Sequence, residues 1–174
     1  MINIEWKFPK LDEKLRRNLD KIYLTIAASM QTNRAELFYS EGSNNGHKFW
    51  SRLKFRDGMI LQKSGKLRKS ISPTPANGHA GSNGIVRISP DHVTIGTNLY
   101  YASMMNFGTT KMPGGVLKPV RAKALKIPNP SGGFLFRKSV RIPERRFDEW
   151  TDQDQAEMEF TLVNTINAVL KAAS

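Results

Sequence analysis

Apolar residues recur at three-, four- and seven-residue steps from position 11 to about 38, with Leu15, Leu19, Ile22, Ile26, Met30 and Leu37 on one stripe. That spacing predicts a long amphipathic helix over 11–38. Asp12 and Glu13 sit in its first turn, where the helix dipole favours negative charge. The run "EGSNNG" at 41–46 supplies turn chemistry that ends it. Further on, "GIVRIS" and "HVTIGT" alternate apolar and polar around "PD", which predicts a hairpin over 84–89 and 92–97. Asn98 suits the N-cap of a short helix over 99–107, and Gly108 suits the residue just past its end. Two more strands are expected at 121–128 and 133–143, joined by "NPSGG". Thr151 or Asp152 then caps a final helix over 152–172, whose stripe is Met158, Leu162, Ile166, Val169 and Leu170.

This order implies an α+β fold: an antiparallel sheet of about four strands, with a long N-terminal helix, a short middle helix and a C-terminal helix packed on it. The chain of 174 residues fits a single domain over 1–174, its sheet within 84–143 and an exposed loop at 109–120. The Gly-, Pro- and Asn-rich run at 72–84 reads as a flexible loop. Cysteine is absent, which removes disulfides, thiolate zinc sites and thiol nucleophiles together. No run of about 18 apolar residues is present, and the first fifteen residues become charged too early for a secretory signal. The expectation is a soluble protein made in a cytoplasm, with no membrane partner.

Charge changes this picture. The net charge is +12, and it is unevenly spread: +1 over 1–41, +7 over 42–72, 0 over 73–108, +9 over 109–147 and −5 over 148–174. Two basic blocks therefore flank the central hairpin in sequence, and an acidic helix start follows them. Such a chain attracts either a polyanion or an acidic protein surface, including that of a second copy.

Candidate chemistry is sparse. His47, His79 and His92 have no second ligand at helical or strand spacing, so no metal site is expected. "GTTKMPGG" has phosphate-loop composition but not its residue order, and "SRLK" matches a four-letter catalytic motif without its companions. No carboxylate pair is set for acid–base work. The expectation is a protein with no enzyme activity and no cofactor. Aromatics among cations, as in "KFWSRLKF" and "FLFRKSVR", fit either core and interface packing or a stacking platform for single-stranded nucleic acid.

Four segments in order carry a resemblance. They are Trp50 with Leu53; Leu61, Ser64, Gly65, Leu67, Ser70 and Ile71; Ile95, Gly96, Tyr101, Ala102, Phe107 and Gly108; and Ile142, Pro143, Arg145, Arg146 and Phe147. The chain from about Trp50 onward resembles the phage virion morphogenesis family, the tail-completion or neck proteins of tailed phages and Mu-like prophages. Met105-Asn106 stands where that family has a His-Gln or similar pair, and Glu144 where it has a small residue.

The resemblance implies a structural virion protein that forms a ring, a hexamer, at the head–tail junction or on top of the tail tube. Its partners would be further copies of itself, the tail tube and head-closure or connector proteins. Interface residues would be Trp50, Tyr101, Phe107, Lys111, Lys118, Arg121, Arg141, Arg145, Arg146, Trp150, Asp152 and Asp154. Phe134 and Phe136 would be further apolar anchors. Lys63, Lys66, Arg68 and Lys69 would face a channel and touch DNA weakly and without sequence preference. The loop "TTKMPGGVLKP" at 109–119 would be an arm that gains fixed structure only on assembly. The alternative is a basic nucleic-acid-binding protein.

Overall fold

The alternating run at 92–97 becomes the centre of a sheet. The computed structural model describes residues 2–7, 18–55, 57–71, 83–89, 92–129 and 131–172. The expected helix start at 11–17, most of the 72–84 loop with His79, and the turn at 90–91 lie outside these residues. Strands β1 (Ile2–Lys7), β2 (Gly84–Ile88) and β3 (His92–Thr97) form one antiparallel sheet in the order β1-β3-β2. Ile95 pairs with Ile4 on one side and Val86 on the other. With a neighbour on each edge, β3 buries Val93, Thr94, Ile95 and Thr97. Strand β1 was not expected. Its short run "INIEWK" alternates, but only the open edge of β3 makes that alternation a strand.

Helix α1 (Leu19–Tyr39) has the sheet on one side and helix α4 (Asp152–Ala172) on the other. Being covered twice explains its wide burial: Ile22, Ile26, Met30, Leu37 and Phe38 are fully buried, and so are the polar Gln31, Asn33 and Arg34. Helix α4 has α1 as its main partner and buries Met158, Leu162 and Val169. The short helix α2 (Lys66–Ile71) buries Leu67 and Ile71, and its Ser70 hydroxyl meets that of Thr97 at 2.8 Å, which pins it to β3. Helix α3 (Ala102–Phe107) follows β3 and ends at Gly108.

The second strand pair, β4 (Leu125–Pro128) and β5 (Phe134–Arg137), is a separate two-stranded sheet. It is narrower than the expected 121–128 and 133–143. Lys126 pairs with Phe136 and Pro128 with Phe134, so these four share one face; Lys126 and both phenylalanines on it are exposed. Among the described residues no other helix or strand makes more than marginal contact with this hairpin. The α+β class is observed, with its strands divided between two sheets.

The 109–120 segment, expected as an exposed loop, carries bonds of its own. Thr109 is buried and its hydroxyl donates to Gly115 O at 2.8 Å, across a 3₁₀ turn at Pro113–Gly115. Leu117 and Val140 exchange backbone bonds at 2.7 and 2.9 Å. The loop thus makes several bonds within a single chain, while Thr110, Lys111, Lys118 and Val120 are exposed.

Candidate interaction surface

Three clusters gather the residues singled out by the sequence. The first is a joint where the 142–148 segment crosses the end of α3. Gly108 adopts φ 61°, and a Cβ built on it would lie 2.4 Å from Ile142 O, so no side chain fits. The Asn106 backbone carbonyl accepts from Arg145 N at 2.9 Å. Its side-chain Oδ1 accepts from Phe147 N at 2.9 Å and Asp148 N at 3.3 Å. Arg145 donates through Nε and Nη2 to Ser51 O at 3.1 and 2.9 Å, while Trp50 Nε1 donates to Arg146 O at 3.2 Å. The Trp50 ring meets Phe38 edge-on at 5.3 Å, and Phe147 lies 5.5 Å from the Phe38 ring. Gly42 (φ 93°) lies flat against that tryptophan, where a Cβ would come within 2.6 Å of the indole.

Trp50 and Arg145 are therefore internal fasteners rather than interface groups: they are 3% and 6% exposed. Asn106 was passed over in the sequence except as a departure from the family pattern. Its signal is weak, a short polar side chain one residue before an apolar helix's terminal Phe-Gly, and only the crossing segment gives it a task.

The second cluster is ionic, and the Arg34 and Asp154 side chains at its centre are fully buried. Arg34 Nη2 donates to Asp154 Oδ2 at 2.5 Å, and His47 Nε2 lies 2.6 Å from the same oxygen. Arg34 also donates through Nη1 to Glu149 O at 2.8 Å, and its guanidinium stacks on Trp150 at 4.7 Å. Asn45 Nδ2 donates to Asp154 Oδ1 at 3.2 Å. Thr151 and Asp154 form a capping box: Thr151 N donates to Asp154 Oδ2 at 3.2 Å and Asp154 N to Thr151 Oγ1 at 3.1 Å. Burial pushes the Asp154 carboxyl up, but the His47 bond, the Arg34 charge and the Thr151 backbone bond outweigh it and hold the group well below the usual carboxylate range. Burial draws the Arg34 guanidinium below its ordinary value, with Asp154 opposing. Asp154 was expected on an interface. It is instead the anchor that fixes α4 to α1 and to the 45–47 turn, because four donors converge on its two oxygens.

The third cluster is open. Arg52, Lys54 and Lys63 from the first basic block and Arg141 and Arg145 from the second border one groove of about 600 Å³. Its walls include Leu53, Phe55, Ile127, Val140 and Ile142. A second hollow of about 420 Å³ shares Leu53, Lys63 and Arg145 and extends to Lys66, Tyr101 and Met105. Burial, aided by neighbouring Tyr100, raises the Tyr101 phenol above its ordinary value. Residues of the two basic blocks thus meet at one groove.

The remaining expected residues are scattered around these clusters. Phe107 is half-buried between two cations, with Lys111 Nζ at 3.8 Å and the Arg146 guanidinium at 4.9 Å from its ring. Arg146 donates to Asp148 at 2.8 Å, a bond that raises its pKa. Arg68 stacks on Tyr39 at 4.5 Å and bonds its hydroxyl. Lys69, Lys118, Arg121 and Asp152 are exposed, and Trp150 is half-buried under Arg34.

Among the described residues no group of three or more His, Asp or Glu side chains is placed to hold a metal ion. None of the described helices is long and apolar enough to cross a membrane. Comparison with protein-family models, curated proteins and solved structures finds no significant match.

Proposed function

We propose that this chain is a structural virion protein that forms a ring at the head–tail junction or on top of the tail tube, where it completes the tail and allows it to join the head. The reading rests on the family resemblance carried by the four ordered segments. One observation gives it physical content. Residues from three of those segments, Trp50, Gly108, Arg145 and Phe147, belong to one joint, so their spacing along the chain answers to one three-dimensional constraint. The charge layout supports self-assembly, since a basic groove and an acidic helix lie on one chain. A hexamer would match the family. Lys66 and Lys69 would then be candidates for weak, non-specific contact with passing DNA.

Electron microscopy of lysates from a host carrying the phage without this gene tests the reading. Filled heads beside separate tails are expected, and overlong tails would narrow the role to length termination. Normal infectious particles would overturn it. The second reading, a basic nucleic-acid-binding protein, is favoured by Lys63, Lys66 and Lys69, exposed along one loop and helix. It predicts DNA affinity whose logarithm falls by about 0.9 per contacted phosphate for each log unit of salt.

A further inference from the structure

Helix α4 uses one side to dock on α1, through Met158, Leu162 and Val169. Its opposite side carries Ala156, Phe160 and Val163, at steps of four and three residues, and the two large side chains are 68% and 54% exposed. Helical geometry places Asp152 and Glu159 along the flank of that stripe. Asp154 is consumed by the buried ionic cluster, and Glu157 accepts from Asn33 and Asn45 at 2.9 and 2.7 Å. Asp152 and Glu159, the latter accepting at 2.9 Å from Gln155 of its own helix, therefore remain as the outward carboxylates that reach no other element, and no cation occurs in α4 before Lys171.

The groove between the two basic blocks is the chemical converse. Its walls are apolar, its border carries Arg52, Lys54, Lys63 and Arg141, and among the described residues Asp57 is the one carboxylate that lines it. An amphipathic helix that lays spaced apolar anchors into such a groove, with acids against a basic border, is a common recognition mode.

We propose that the groove receives the first half of α4 from a second copy of this chain, with Phe160 and Val163 against Leu53, Phe55 and Ile142 and with Asp152 and Glu159 facing Lys63 and Arg141. The two surfaces lie on different parts of one chain, so the contact is heterologous: each copy offers its helix to one neighbour and its groove to the other. Repetition closes into a ring if the rotation permits, or runs on as a filament. This deepens the assembly reading above and rests on it.

The test is sedimentation velocity on the full-length chain across a concentration series, after nuclease treatment. Three proteins are compared: wild type, the groove variant Lys63→Glu/Arg141→Glu, and the helix variant Asp152→Lys/Glu159→Lys. All four substituted residues are exposed, and circular dichroism with a melting curve verifies each fold. Each variant alone sets like charges face to face and is expected to associate about tenfold or more weakly than wild type. Mixed in equal amounts, the two variants are expected to recover the wild-type assembly. A basic helix then meets an acidic groove, and the acidic helix left over meets the basic groove left over.

If both variants assemble like wild type, the groove assignment is overturned while the ring reading stands. If the helix variant dissociates, the groove variant does not, and mixing rescues nothing, α4 pairs with another surface and the assignment is again overturned. A wild type that stays monomeric throughout, or associates only before nuclease treatment, also overturns it. The ring reading itself falls only to infectious particles made without the gene.

Discussion

The joint around Asn106 and Gly108 and the β4–β5 hairpin differ in what holds them. At the joint, backbone and side chain are interlocked: a glycine that admits no Cβ, an asparagine carbonyl serving two amides, and an arginine bound twice to one carbonyl. The hairpin is held by its own strand pairing and turn, and it presents Phe134 and Phe136 at 55% and 67% exposure. Lys126 lies 3.9 Å above the Phe134 ring. One region therefore keeps the fold, and the other is available for contacts outside it. Residues of similar type, an aromatic beside cations, serve opposite ends in the two places.

Substitutions should separate the regions sharply. The largest effect is expected at the ionic cluster that extends the fixed region to α4. Asp154→Ala leaves the Arg34 charge buried without its partner and should cost about 3–5 kcal/mol in urea unfolding. A change below about 1 kcal/mol would show that water replaces the carboxylate. The same group gives a pH signature. Its folded pKa lies below the ordinary value of 3.8, so its contribution is complete above that value and is lost as pH falls toward the folded value. The melting temperature of wild type should therefore fall more steeply in acid than that of Asp154→Asn, with the curves converging below pH 3.8. Parallel curves would remove the carboxylate from the explanation.

Gly108→Ala comes next, at about 3 kcal/mol. The new methyl group meets Ile142 O in a backbone conformation that L-residues resist. A melting curve unchanged from wild type would mean that the crossing segment is free to move away. Asn106→Ala should cost about 2 kcal/mol, since it strands the amides of Phe147 and Asp148. Exchange of those two amide protons should accelerate with it, and unchanged protection would count against this role. The smallest effect is expected on the hairpin. Phe134→Ser should change monomer stability by about 0.5 kcal/mol or less, because it removes an exposed ring and an exposed cation–π contact. A loss of 2 kcal/mol would place Phe134 with the core and erase the contrast.

Much of the fixed architecture was legible. Periodicity found α1, the 84–97 hairpin and α4, because each buries a face whose period matches its backbone. Gly108 was legible as a helix terminus, and Thr151 as one of two possible caps. Strand β1 was hidden because a six-residue run, "INIEWK", needs a partner to become a strand. Trp50, Arg145 and Asp154 were expected at an interface, but their size or charge makes them strong internal fasteners once a partner within the chain is near.

The sequence by itself determined the local elements, the separation of basic blocks from an acidic helix, and the glycines at forced turns, since each depends on residues within a few positions of one another. Tertiary structure alone decided which charges vanish inside. Arg34 and Asp154 are 120 residues apart in the chain, and His47 and Asp154 are 107. Burial of a charge follows from the packing of whole helices and not from the residues beside it. The same folding left Phe160, Asp152 and the Lys63–Arg141 groove at the surface.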